Sequence, residues 1–396
     1  MAAGVGVTGL TPILVVGGGA ADRRVALFQE ALAGLGRPPA LVVSYADILN
    51  GRYALGDLVA PCGLLRIESP GKSLEMDRRL LLAGADLADA EGDGTYERLD
   101  RRAVLALRPE RGRLVASRQW YLGLCRALDL LAAQLSSRPD IRLMACPADV
   151  ALLFDKRRCH ARLRDAGVPV PASLPPVVSF EDLAARLHEA GLTRVFVKLA
   201  HGSSASGIVA LSLDARRAVG TSTVELVGTS DGVRLYNTRR LRVYRGHAEV
   251  APLVDALCRQ RAHVERWLPK ASMGGRALDV RVVVIAGRAR HTVVRLSPSP
   301  ITNLHLLNDR SDPSALMRRM GGAAWSDVLR ACERSARVCA PDSLYAGVDL
   351  AVVADFRRHA VLEVNAFGDL LPGVTSGGQD TYTAELLAVP PYLRGA

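Results

Sequence analysis

Ala346-Gly347-Val348-Asp349-Leu350-Ala351-Val352-Val353, a short turn around Asp355 to His359, and Ala360-Val361-Leu362-Glu363-Val364-Asn365 form the stretch on which the fold reading turns. Both flanking runs are apolar except at Asp349, Glu363 and Asn365, so they read as two buried strands. Asp349 and Glu363 each stand seven residues from Phe356, and a hairpin turning there sets them opposite one another. Glu363 and Asn365, two apart, share a face of their strand. Two carboxylates and an amide oxygen are the hard donors that Mg²⁺ takes while keeping water or phosphate oxygens for the rest of its shell. Burying both carboxylates without a cation is costly, so the competing reading is a pair of acids bridged to nearby arginines.

Upstream, Thr193 to Leu199 is a β-rich run carrying Lys198, and His201-Gly202-Ser203-Ser204-Ala205-Ser206-Gly207 leads into a strand from Ile208 to Leu211. Backbone N–H groups and hydroxyls in such a Gly/Ser loop can approach phosphate oxygens without a side-chain clash. The same segment reads equally as a mobile surface hairpin with an incidental lysine. Between the two regions lie His263-Val264-Glu265-Arg266-Trp267-Leu268-Pro269 and a second hairpin, Leu278 to Ile285 and Ala289 to Arg295, turning at Ala286-Gly287-Arg288. Arg281 shares a face with Asp279, and its guanidinium fork suits a transferring phosphoryl group or a substrate carboxylate.

The N-terminal part alternates strand and helix: Ile13 to Val16, the turn Gly17-Gly18-Gly19, an amphipathic stretch from Arg23 to Leu35, then Ala40 to Val43. That is the pattern of a parallel α/β layer. It lacks the dinucleotide fingerprint, because Asp22 stands where a third glycine belongs. Gly71-Lys72-Ser73 likewise fails as a phosphate loop, since Arg66 occupies the position of the required leading glycine. Arg66 to Gly71 reads instead as a polar loop leaving a strand, either a ligand contact or a surface turn. A helix is expected over Arg118 to Gln134 and another from about Pro147 to Ala166, closed by Gly167. A domain boundary falls near residues 110–148.

The 396 residues are 49% apolar and 23% charged, a globular profile with room for two or three domains. Of 51 basic residues only Lys72, Lys156, Lys198 and Lys270 are lysine. In a chain that uses arginine wherever either cation serves, a retained lysine marks a site that wants a compact point charge. The net charge of +11 comes from scattered arginine pairs interleaved with acids and with only 5% aromatic residues, which reads as solvated surface and not as a nucleic-acid platform. Seven cysteines without a C-x-x-C pair argue against a zinc site or a disulfide framework. No apolar run reaches the ~18 residues of a membrane span, and a reduced, cytoplasmic protein without a membrane partner is expected.

Taken in order, these pieces resemble the ATP-grasp superfamily, nearest its RimK and glutathione synthetase-like carboxylate–amine ligases. Asp155-Lys156 with Gly167-Val168-Pro169-Val170-Pro171, the Val197-Lys198 strand with its Gly/Ser loop, Val264 to Leu268, Asp279-Val280-Arg281, and Gly347-Val348-Asp349 with Glu363-Val364-Asn365 carry the likeness over residues 150–375. It implies an α/β (α+β grasp) chain: a small parallel α/β domain at 1–115, a helical linker at 116–148, and grasp subdomains at 149–263 and 264–396. ATP would meet Lys156, Lys198, Ser203, Ser204, Ser206 and Glu265, with the backbone of Trp267 and Leu268 at the adenine. Mg²⁺, with Mn²⁺ as the other candidate ion, would be held by Asp349, Glu363 and Asn365. Arg281 and Lys198 would be catalytic, and Arg66, Arg295 and Asn303 would face the substrate. The implied activity joins a small-molecule or peptide carboxylate to an amine through an acyl phosphate, in a chain compatible with a homodimer. A kinase-like phosphotransferase and a non-catalytic nucleotide-binding regulator are the alternatives. After Asn365 the segment Ala366 to Gly373 departs from the family pattern and reshapes the acceptor side.

Overall fold

The computed structural model describes residues 13–19, 22–52, 63–71, 73–92, 94–203, 205–230, 232–302 and 309–393. They form three sheets. The first is parallel and contains β1 (Ile13–Gly17), β2 (Leu41–Ser44), β3 (Leu64–Ile67) and β5 (Arg142–Leu143) in the order β2-β1-β3-β5. Strand alternation gives β1 two working faces. Leu14 and Val16 join a core with Leu65, Ile67 and the helix Ser117–Leu135, whereas Ile13 and Val15 join Phe28 and Tyr382. The glycine turn after β1 serves packing: a Cβ at Gly18 would come within 2.9 Å of the Gly71 backbone. Asp22, which breaks the dinucleotide pattern, caps the helix Arg23–Gly34 by accepting from Arg24 N–H at 2.8 Å.

The second sheet is antiparallel: β6 (Arg194–Leu199), β7 (Ile208–Leu213), β8 (Ala218–Thr229), β9 (Gly232–Arg245) and β10 (Ala262–Arg266), with β4 (Arg113–Leu114) at its edge, in the order β10-β6-β7-β8-β9-β4. The helices Phe180–Glu189 and His247–Arg259 pack beside it around Leu183, Leu253 and Leu257. The third sheet, also antiparallel, has β12 (Arg276–Ile285), β13 (Arg288–Ser297), β14 (Asp309–Ser311), β15 (Tyr345–Val352) and β16 (His359–Asn365) in the order β14-β13-β12-β15-β16, with the short β11 (Ser272–Met273) on β12. The helix Gly322–Cys339 packs on β12, β13, β15 and β16. The first and third sheets share a core through Val283, Ile285 and Tyr345, and the closing helix Thr381–Leu393 returns to pack on Arg23–Gly34.

Three expectations are corrected. The helix over 147–166 is two helices, Pro147–Leu153 and Lys156–Asp165, because the Asp155 carboxylate accepts from Arg157 and Arg158 N–H and starts a new helix there. Residues 116–148 are no linker: their long helix packs on the first sheet and β5 completes it, while β4, within 1–115, pairs with β9 of the second sheet. A subdomain boundary at 263/264 would cut β10, which lies wholly in the second sheet.

Candidate functional site

The second and third sheets face each other across a cleft, and strand register decides which side chains line it. In the second sheet Lys198 stands opposite His263 and Phe196 opposite Glu265, so Lys198 and Glu265 are diagonal neighbours on one face and form an ion pair. Glu265 is buried. Burial would raise its carboxyl, but Lys198 and then His263 beside it hold it down to about 2. The Gly/Ser loop closes over this face: a Cβ at Gly207, whose φ is +66°, would fall 2.3 Å from Leu199 Cγ, so only glycine makes the turn.

In the third sheet Arg295 pairs with Asp279, Arg281 with Asp349, and Asp349 with Glu363, and since Asp279 and Arg281 are two apart on β12 these charges form two adjacent rows on one face of four strands. The Arg281 fork donates to both Asp349 oxygens at 2.5 and 2.6 Å, and Arg295 approaches the same carboxylate at 3.0 Å. Burial acts to raise the Asp349 carboxyl, and the two guanidiniums outweigh it, bringing it to about 2. Lys156 bridges the sheets, donating to Gly202 O at 2.5 Å and meeting Glu363 at 2.7 Å.

One cavity therefore collects Lys156, Lys198, Ser203, Ser206, Glu265, Leu268, Arg295, Asp349 and Glu363. Arg281 and Asn365 contact Asp349 from its flank, Asn365 at 3.5 Å, and lie outside the lining. The Trp267 ring packs on Phe196 at 5.4 Å, the backbone N–H of Trp267 donates to Arg194 O at 3.1 Å, and of the two residues expected at adenine only Leu268 lines this cavity. Ser204, Asn303 and Lys72 lie outside the described residues. Arg66 corrects an expectation: instead of facing a ligand, its fully buried guanidinium pairs with Glu68, Asp369 and Glu385 and lies against the rings of Phe28, Tyr345 and Tyr382.

Sequence reasoning gave no site role to Asp279 or Thr302 and reached Lys270 only as one of four retained lysines. Thr302 donates to Asp279, and the Lys270 ammonium donates to Thr302 Oγ1 at 2.6 Å, all on the cavity wall. Burial lowers the Lys270 pKa, against the pull of Asp279. The scarcity of lysine was the signal that marked Lys270.

This architecture matches solved ligases. PsnB, in a complex described as holding a phosphomimetic variant of a minimal precursor, Mg and ADP, is 18% identical over 97% of this chain and 99% of its own, with a TM-score of 0.51. D-alanine–D-alanine ligase from Bacillus anthracis is 11% identical over 97% and 98%, with a TM-score of 0.52. The chain has the ATP-grasp fold. No family model and no curated protein matches the sequence. Within the ATP-grasp fold, the cleft lies between the two antiparallel sheets, and the parallel sheet with its helices stands beside it.

Proposed function

We propose that the chain is an ATP- and Mg²⁺-dependent ligase joining a carboxylate to an amine through an acyl phosphate. The observation that carries this reading is the meeting, in one cavity, of Lys156, Lys198 and the Gly/Ser loop from one side with Asp349 and Glu363 from the other. Lys156 and Lys198 supply compact charges for a triphosphate, and the loop supplies N–H groups and the Ser203 and Ser206 hydroxyls. Phe196, Ile208 and Leu268 give the apolar walls an adenine ring needs.

Asp349, Glu363 and Asn365 fit Mg²⁺ by donor chemistry. Glu363 has one oxygen on Lys156, Asp349 keeps a lone pair beyond its arginine contacts, and the Asn365 amide donates through nitrogen to Gly347 O, leaving its oxygen as an acceptor. The ion would neutralise charge on the transferring phosphoryl group. Arg281 and Arg295 hold Asp349 ionised and in place, and Arg295, inside the cavity, is positioned to meet a substrate carboxylate. Phosphoryl transfer to that carboxylate then depends chiefly on positioning and charge neutralisation.

Purified protein incubated with ATP, MgCl₂ and panels of acids and amines should release ADP and free phosphate only when both substrates are present. The panels should include peptides, because PsnB has been solved with a precursor peptide. Product that retains the phosphate would identify a phosphotransferase instead, and ADP release that survives Glu363→Gln would remove the site assignment.

A further inference from the structure

Across the Gly/Ser loop from the nucleotide cavity lies a second cavity of about 600 Å³, and Gly202, Ser203 and Ser206 line both. The volume admits a molecule of many heavy atoms. One wall is apolar and aromatic: Leu74, Leu81, Leu107 and Leu199 surround Trp120 and Phe154. The Trp120 ring lies 6.2 Å from Phe154, which in turn meets Phe367 edge-on at 5.6 Å. That ladder runs from the cavity to the divergent segment following Asn365, so the pocket adjoins the end of the metal-binding strand.

The rim carries opposite chemistry. Its two acids are already engaged: Glu110 pairs with Arg113 at 2.7 Å and with Arg234 at 3.7 Å and accepts from Tyr236, while Asp77 accepts from the Trp120 indole at 3.0 Å. Burial also raises the Asp77 carboxyl. Arg108 and Arg111, both exposed, have no ion pair among the described residues. Two unpaired guanidinium forks at the mouth of an aromatic pocket select an anionic group on an apolar body.

We propose that this second cavity is the acceptor pocket and takes an anionic molecule with an apolar, ring-bearing body, its charge at Arg108 and Arg111 and its ring against Trp120 and Phe154. The name acceptor rests on the ligase reading; the ligand chemistry rests on the pocket alone. Gly202, Ser203 and Ser206 would touch such a molecule on one side and the nucleotide cavity on the other, and Lys156 ties Gly202 to Glu363. The Gly/Ser loop thereby serves both ligands.

The test uses the full chain with saturating ADP and MgCl₂ and two probes that share one aromatic skeleton: 1-anilinonaphthalene-8-sulfonate, and its neutral counterpart N-phenyl-1-naphthylamine. The sulfonate is expected to bind one to one, with energy transfer from tryptophan and an affinity at least about tenfold above the neutral probe, since charge-assisted hydrogen bonds contribute that much. Arg108→Gln with Arg111→Gln should abolish the preference and leave the neutral probe's affinity unchanged, and Trp120→Leu should weaken both probes. Failure of the sulfonate to bind, equal affinities, a preference that survives the double variant, or competitive displacement by ADP each overturns the proposal. ADP binding is measured separately by calorimetry. Its absence would remove the nucleotide reading while the probe data still decide the pocket.

Discussion

Two buried charge clusters divide the work of this molecule. Around Arg66, charged groups from β3 and the residue after it, the helix Arg23–Gly34, the segment after Asn365 and the closing helix pair with one another and are buried, except that the Arg24 side chain is 11% exposed. In the cleft, Lys156, Lys198, Lys270, Arg295 and their acids are similarly paired, yet every one of them lines open space. The residue types are nearly the same. The difference is the accessible wall: a closed cluster can only hold elements together, whereas an open one can exchange its internal partners for a ligand.

The largest expected effect separates the two by phenotype. Arg66→Leu leaves Glu68 and Asp369 in the core to the single guanidinium of Arg24 and takes away the ion-pair partner of Glu385, a loss of about 3–5 kcal/mol that denaturant unfolding should register. Glu363→Gln changes a partly exposed ion pair worth roughly 0–1 kcal/mol, so its unfolding curve should barely move while substrate-dependent ADP release disappears. If Arg66→Leu folded normally, or Glu363→Gln unfolded early, the division would collapse.

Next in size is Gly347→Ala, which probes where the clusters touch. A Cβ there would sit 2.5 Å from Gly368 Cα, and Gly368 O accepts from Arg281 while its neighbour Asp369 belongs to the Arg66 cluster. Overpacking of this kind costs about 1–3 kcal/mol. Both stability and nucleotide affinity should fall together, the one substitution of the set to damage both.

A third prediction concerns pH. Burial pushes the Glu385 carboxyl up to about 8, against the pull of Arg66. Its ordinary value is about 4.3, so over the interval between, the folded state holds a proton that the unfolded chain has released. The stabilisation is complete below the ordinary value and is lost as pH rises through about 8. Melting temperature should therefore decline across that window, and Glu385→Gln should remove that part of the decline; an unaltered pH profile in the variant would assign the effect elsewhere.

Much of the cleft was legible beforehand because its chemistry runs along strands. Register pairs Asp349 with Glu363 as the hairpin count required, and the turn at Ala286 and Gly287, both at positive φ, stands where the sequence put it. What escaped the sequence depends on contacts between distant segments. Arg66 looked like a loop residue, because nothing local shows that Asp369 and Glu385, some three hundred residues away, enclose it. The supposed linker failed for a similar reason: two residues, Arg142 and Leu143, are too short to read as a strand, yet they pair with β3.

The smallest effect tests the idea that lysine persists in an arginine-rich chain where shape matters. Lys156, Lys198 and Lys270 all reach the cavity between the two antiparallel sheets, while the buried cluster uses Arg24 and Arg66, whose forks each engage more than one carboxylate. Lys270 is the mildest probe, since it keeps its charge on substitution by arginine. Its ammonium fits between Thr302 Oγ1 at 2.6 Å and Asp279 at 3.5 Å, and a planar fork is wider than that space. Lys270→Arg should leave the unfolding midpoint close to that of the parent and weaken ADP binding by about tenfold, equivalent to ~1.4 kcal/mol. Calorimetric titration reads this directly. Equal affinity would mean that charge alone suffices at this wall, and that the lysine was retained for no reason of shape.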